Sequence, residues 1–162
     1  MADAEKAATY AAEDRLLRWA RAEGPVRVFA STWDVEPLGR FNTLADVQAY
    51  VERALARAAE HGTYGRAMAP VTVRARRGGR KAHYEAGGVM AVPVVGGTAG
   101  WAMNELVVLH ELGHHLVPGQ GHDDRFRGAV VDLLAWTGHP VLASLLRIAY
   151  QEEDLVVTEG DR

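Results

Sequence analysis

The sequence predicts an α+β fold, in which a small, mostly antiparallel sheet follows an N-terminal helical part and precedes a helical C-terminal half. Three observations lead there. Apolar residues recur at helical spacing near the N-terminus, in residues 43–62, and in three stretches after Thr98. The middle of the chain instead alternates around Gly78-Gly79. Gly-Pro and Pro-Gly pairs at residues 24–25 and 118–119 punctuate these blocks.

In order, residues 3–23 read as a helix with an apolar stripe of Leu16, Leu17, Trp19 and Ala20, stopped by Gly24-Pro25. Residues 26–30, VRVFA, read as a short strand, and residues 31–42 as a loop. Thr43 is a candidate N-cap, with Asp46 where a capping box places Glu. Leu44, Val47, Val51, Ala54, Leu55 and Ala58 follow at helical spacing, and His61-Gly62 closes the helix. Residues 71–86, VTVRARRGGRKAHYEA, read as a β-hairpin turning at Gly78-Gly79. Residues 88–95 read as a further strand, which Pro93 places at an edge or terminates. Gly96-Gly97-Thr98 starts a turn, and Thr98 caps a helix running to about Val117, where Pro118-Gly119 stops it. Asp123 or Asp124 caps the next helix, which carries Phe126, Val130, Leu133 and Leu134 and ends at Thr137-Gly138. Pro140 suits the first position of a last helix reaching about Glu153. The tail from about residue 154 is expected to be loose, and residues 1–162 to form one domain.

Composition narrows the function. The 162 residues are 48% hydrophobic and 24% charged, with a formal net charge of -3. The whole molecule is therefore no polycation made to coat nucleic acid. The absence of cysteine removes disulfides, thiolate nucleophiles and Cys-based zinc sites. The N-terminal segment is charged throughout and no apolar run approaches the ~20 residues a bilayer demands, so a cytoplasmic location is expected.

Four of the seven histidines fall in HELGHHLVPGQGHDDRF, residues 110–126. Each helical residue turns about 100°, so His110 and His114 point the same way one turn apart. Their imidazoles can grip one ion at the ~2.0–2.1 Å zinc prefers. Glu111 lies about 100° round from His110, offset for taking a proton from water rather than for ligation. Leu109, Leu112 and Leu116 give this helix an apolar stripe that makes it a rigid support. Chance pairing of two helical histidines is the competing explanation, and the rest of the pattern outweighs it.

A catalytic zinc usually takes three protein ligands and keeps a position open. A third His six residues after the second fails, since Gln120 stands there. His122 is the best candidate, returned by the turn LVPGQG; the alternative is a solvated loop histidine. Asp123 and Asp124 are rival oxygen ligands or supporting groups that also suit N-capping. Asp132, in the apolar run AVVDLLAW, needs a partner, either a ligand histidine or an arginine. His115 points about 100° away from His114. His139 reads as a residue leading into the last helix. Tyr84 and His83, on the expected hairpin, are candidate oxyanion donors or ordinary strand residues.

HELGHHL followed by GHDDRF resembles the gluzincin-like and SprT-like zinc peptidases. In those, a His-Glu-x-x-His helix is followed by a loop, a third His and an aromatic four residues later. The corresponding residues are His110, Glu111, His114, His122 and Phe126. The segment is more similar still to a family of small actinobacterial HEXXH metallohydrolases, in which Gly-His-Gly-Pro-Glu-Phe typically follows the helix. Here the run is Gly121-His122-Asp123-Asp124-Arg125-Phe126, so His122 is kept and Arg125 replaces the family's Glu. The specific match covers residues 104–134. It implies a small zincin-like fold, one Zn2+ ion and a hydrolase.

The expected function is a zinc-dependent hydrolase, a metallopeptidase acting on a peptide or protein, with Glu111 as general base. Other divalent transition metals also accept such a donor set. The strand before the active helix offers β-addition to an extended substrate. Two alternatives stand beside it. One is an inactive zinc-binding interaction module with a closed site. The other is a nucleic-acid-associated protein using Arg74, Arg76, Arg77, Arg80 and Lys81 on the hairpin, for which a solvated basic turn is the plainer account.

Overall fold

The computed structural model describes residues 3–79, 81–95, 98–99, 103–119 and 121–160. In chain order its elements are α1 (Lys6–Ala20), β1 (Val26–Val28), β2 (Ser31–Trp33), α2 (Leu44–His61), a 3-10 turn (Gly65–Met68), β3 (Thr72–Arg76), β4 (His83–Glu85), β5 (Val89–Val95), β6 (Thr98–Ala99), α3 (Glu105–Leu116), α4 (Asp124–Trp136) and α5 (Pro140–Glu152). The α+β class is as expected. By packing, the described residues form two units, residues 39–119 and residues 3–38 with 121–160.

In the first of these, α2 forms as its sequence dictates. The Thr43 hydroxyl accepts the Asp46 N–H at 3.0 Å, and Gly62 ends the helix at φ 69°. Val47, Val51, Ala54, Leu55 and Ala58 are buried along one face.

The sheet departs from expectation. β3 and β4 do not pair with each other; β5 lies between them, parallel to β3 and antiparallel to β4. The tight hairpin is therefore β4–β5, turning through Gly87 and Gly88 at φ 100° and 88°, rather than a turn at Gly78-Gly79. The cause is hydrophobic. Met90, Ala91 and Val92 are fully buried and take the centre, which leaves the polar β3 and β4 as flanks. Pro93 is accommodated inside this central strand. Pairing to β4 stops at Ala91, pairing to β6 begins at Val94, and Pro93 falls in the gap.

Thr98 pairs with Val95 in β6, so it does not cap the following helix. Gly96 and Gly97, read as the start of that turn, lie outside the described residues. Asn104 caps instead: its Oδ1 accepts the Val107 N–H at 3.1 Å and α3 starts at Glu105. A second strap holds this end. The Gly39 N–H donates to the Glu105 carboxylate at 2.7 Å, the Glu105 N–H donates to the Gly39 carbonyl at 3.0 Å, and Phe41 bonds to Met103.

In the other unit, α1 packs on α5 and α5 packs on α4. Ala12 and Leu16 of α1, Leu133 and Leu134 of α4, and Leu142, Leu145 and Leu146 of α5 are nearly or fully buried. Arg15 pairs with Glu152 and Glu153, and the Tyr150 hydroxyl donates to Glu13 at 3.2 Å. Residues 31–42, read as a loop, contain β2, which forms an antiparallel hairpin with β1. Phe29 makes that turn possible at φ 54°. Helix α5 starts at Pro140 as read. The Glu36 carboxylate accepts the Val141 and Leu142 N–H groups at 2.8 and 3.1 Å, capping it from 105 residues away.

Within the tail, residues 156–160 are tied down rather than loose. Thr158 donates its N–H to the Asp124 carbonyl (3.0 Å) and its hydroxyl to the Asp124 carboxylate (2.5 Å). Gly160 donates to Asp132, Arg147 pairs with Glu159, and Arg127 Nε donates to the Val156 carbonyl at 2.8 Å. Gly128 permits this, since a Cβ there would overlap the Thr158 carbonyl. Among the described residues, no helix is long and apolar enough to cross a membrane.

Candidate metal centre

Helix α3 buries Leu106, Val108, Leu109, Leu112 and Leu116. Against this framework His110 is 3% exposed and Glu111 5%, and His114 is half-buried. The His110 and His114 rings approach edge to face with centroids 5.1 Å apart, as residues four apart on a helix should.

His115 has a separate job. Fully buried, it directs Nε2 to the carbonyls of Arg66 and Ala69, each at 3.0 Å, and Nδ1 to the Tyr84 hydroxyl at 3.0 Å. The two carbonyls require a proton on Nε2, so Nδ1 accepts from Tyr84. Arg66 completes the clasp by donating Nε–H to the His115 carbonyl at 2.8 Å. Burial pushes the His115 pKa below the ordinary imidazole value, and the Arg66 charge adds to this. Tyr84, a candidate oxyanion donor by sequence, thus spends its one hydroxyl proton on His115.

His122 precedes α4 and is 6% exposed. Its Nδ1 lies 2.5 Å from the Asp3 carboxylate, and its backbone N–H donates to the same oxygen at 2.9 Å. Burial opposes ionisation of Asp3, but these hydrogen bonds outweigh it and hold its carboxyl below the usual value. The rings of Tyr10 and Phe126 flank the imidazole, with centroids 5.3 and 4.9 Å away. Arg127, 1% exposed, donates Nη1–H to the His122 carbonyl and to Glu5, each at 2.6 Å. Neither Asp3 nor Arg127 stood out by sequence. Asp3 is 119 residues from His122, and no local pattern announces that pairing.

One ligand nitrogen from each of His110, His114 and His122 lies within 4.8 Å of the others, close enough to hold a metal ion. The donors are three imidazoles in a chain without cysteine, which fits zinc and also other imidazole-binding transition metals.

Each of the carboxylates weighed as a rival or supporting group accepts a hydrogen bond within its own unit. Asp123 is the N-cap of α4, accepting the Phe126 N–H at 2.9 Å. Asp124 holds Thr158, and that hydrogen bond keeps its carboxyl below the ordinary value. Asp132 accepts the Gly160 N–H at 3.2 Å. His83 bonds to Glu85 at 2.9 Å, and His139 stands at the N-cap position of α5. In the basic stretch Arg74 is neutralised by Glu85, and Arg76 donates to the Lys81 carbonyl at 2.5 Å. Arg80 lies outside the described residues.

Comparison with known protein families, curated proteins and solved structures finds no match to this chain.

Proposed function

We propose that the protein is a zinc-dependent hydrolase of zincin type, acting as a metallopeptidase, with His110, His114 and His122 as ligands and Glu111 as general base. The observation that supports it is the convergence of three imidazole nitrogens within 4.8 Å, two of them on a His-Glu-x-x-His helix. Three protein donors is the number a catalytic zinc takes when one position serves water and substrate. A zinc ion held there supplies Lewis acidity, acidifying water to a pKa of about 7 and polarising a carbonyl.

The chain's own groups do the rest. Glu111 follows His110 and is turned about 100° from it, beside the ligands rather than among them. Its carboxylate takes a proton from the attacking water and passes it to the departing amine. Burial limits exchange of that proton with bulk solvent. The His115–Tyr84–Arg66 clasp fixes the rotation of α3, and so the direction of His114 next to it. An extended substrate adding a strand has only flanking strands to use, since β5 is paired on both sides.

The test compares wild type with Glu111→Gln for bound zinc and for hydrolysis of a fluorogenic peptide library. The variant is expected to keep its zinc and lose about 10²–10⁴-fold in rate. Full zinc occupancy with undiminished hydrolysis removes Glu111 from the reaction. Wild-type zinc affinity in His110→Ala removes the site itself.

A further inference from the structure

We infer that Asp3 is the positioning carboxylate of this site: it fixes the tautomer and the direction of His122, so that Nε2 is the nitrogen offered to a metal. The inference rests on the zinc reading above and deepens it.

The hydrogen bonding sets the tautomer. A carboxylate accepts and does not donate, so the 2.5 Å contact from His122 Nδ1 to Asp3 Oδ2 places the proton on Nδ1. Nε2 then carries the lone pair a metal needs. Ligand histidines generally donate their other N–H to such a partner, and loss of that partner costs about 10–100-fold in metal affinity.

Two further features make this a built arrangement. Gly121 stands at φ 87°, and a Cβ there would overlap the Asp3 carboxylate, its Cγ 2.9 Å away. Any other residue there meets both a left-handed backbone and the carboxylate, which must then shift. Arg127 then locks both sides, bonding to Glu5 on the Asp3 segment and to the His122 carbonyl. The Tyr10 and Phe126 rings, tilted and edge-on to the imidazole, pack beside it and restrict its rotation.

The experiment uses metal-free and zinc-titrated full chain in three forms: wild type, Asp3→Ala and Asp3→Asn. Long-range 1H–15N spectra of the imidazoles report the His122 tautomer without metal. Wild type is expected in the Nδ1–H form. Asp3→Ala shifts it toward Nε2–H, and Asp3→Asn, whose amide oxygen still accepts, retains it. Zinc affinity by chelator competition is expected to fall about 10–100-fold in Asp3→Ala and less in Asp3→Asn. Gly121→Ala, with Asp3 intact, reproduces the Asp3→Ala tautomer. An Nε2–H tautomer in wild type, or an unchanged tautomer and affinity in a folded Asp3→Ala protein, overturns the inference. A wild type that binds no zinc refutes the hydrolase reading, and the metal-free spectra still decide the role of Asp3.

Discussion

Gly128→Ala puts two physical effects in opposition. Gly128 sits inside α4, where alanine is the better helix former by about 1 kcal/mol. Helix propensity alone therefore predicts stabilisation. The structure predicts the reverse. A Cβ at this position overlaps the Thr158 carbonyl oxygen and lies 2.9 Å from the Glu159 nitrogen. The tail must move by more than about 1 Å to restore ordinary van der Waals contact. That motion breaks both Thr158–Asp124 bonds and strains the Gly160–Asp132 and Arg127–Val156 bonds. At roughly 1 kcal/mol for each of two to three bonds, the loss is about 2–3 kcal/mol. Subtracting the propensity gain leaves a net destabilisation of about 1–2 kcal/mol. Urea unfolding followed by tryptophan fluorescence measures it directly, and the thermal midpoint should fall by about 2–8 °C. A midpoint raised by the alanine would refute the claim that the tail is seated on α4.

Two other perturbations probe the scaffold. His115→Ala removes the acceptor of the Tyr84 hydroxyl and one donor from each of the Arg66 and Ala69 carbonyls, and should cost about 2–4 kcal/mol in chemical denaturation. Because burial lowers the His115 pKa, the unfolded chain takes up the proton first. Its contribution is thus complete above the unfolded value of about 6.5 and declines as pH falls below it. Metal-free protein should lose stability on acidification through that window more steeply than His115→Gln; equal slopes would contradict the buried neutral state. Glu36→Ala removes the acceptor for the first free N–H groups of α5, and a drop of about 1–2 kcal/mol is expected by urea titration. Glu36→Gln, which keeps one acceptor oxygen, should fall between.

What could be read from the sequence was what is decided locally. The Thr43 and Asp123 caps, the Gly62 stop and the Pro140 start each depend on a few adjacent residues, and each forms as read. The spacing of His110 and His114 is likewise a property of one helix. Misreadings arose where partners are distant. Gly78-Gly79 looks like a hairpin turn, yet the burial demand of Met90–Val92 draws β5 between the two strands. The tail TEGDR reads as loose, but Gly128, some 30 residues earlier, makes a seat for Thr158 and Glu159. Asp3 and Glu5 belong to an N-terminal segment that reads only as charged and helical, and the folded chain places them beside His122 and Arg127. Gly121 closes the turn LVPGQG, and its missing side chain also makes room for Asp3.

The pairing of α1 with α5 imposes a waiting time during synthesis. Arg15 meets Glu152 across a sequence separation of 137 residues. At about 5–20 residues per second, a ribosome takes roughly 7–27 s to make that span. For that time α1 is made but lacks the surface that covers Ala12 and Leu16. The segment from Gly39 to Gly119 emerges meanwhile as a contiguous run. Slow translation therefore prolongs the exposure of the apolar face of α1, and chaperone capture of the nascent chain should concentrate there.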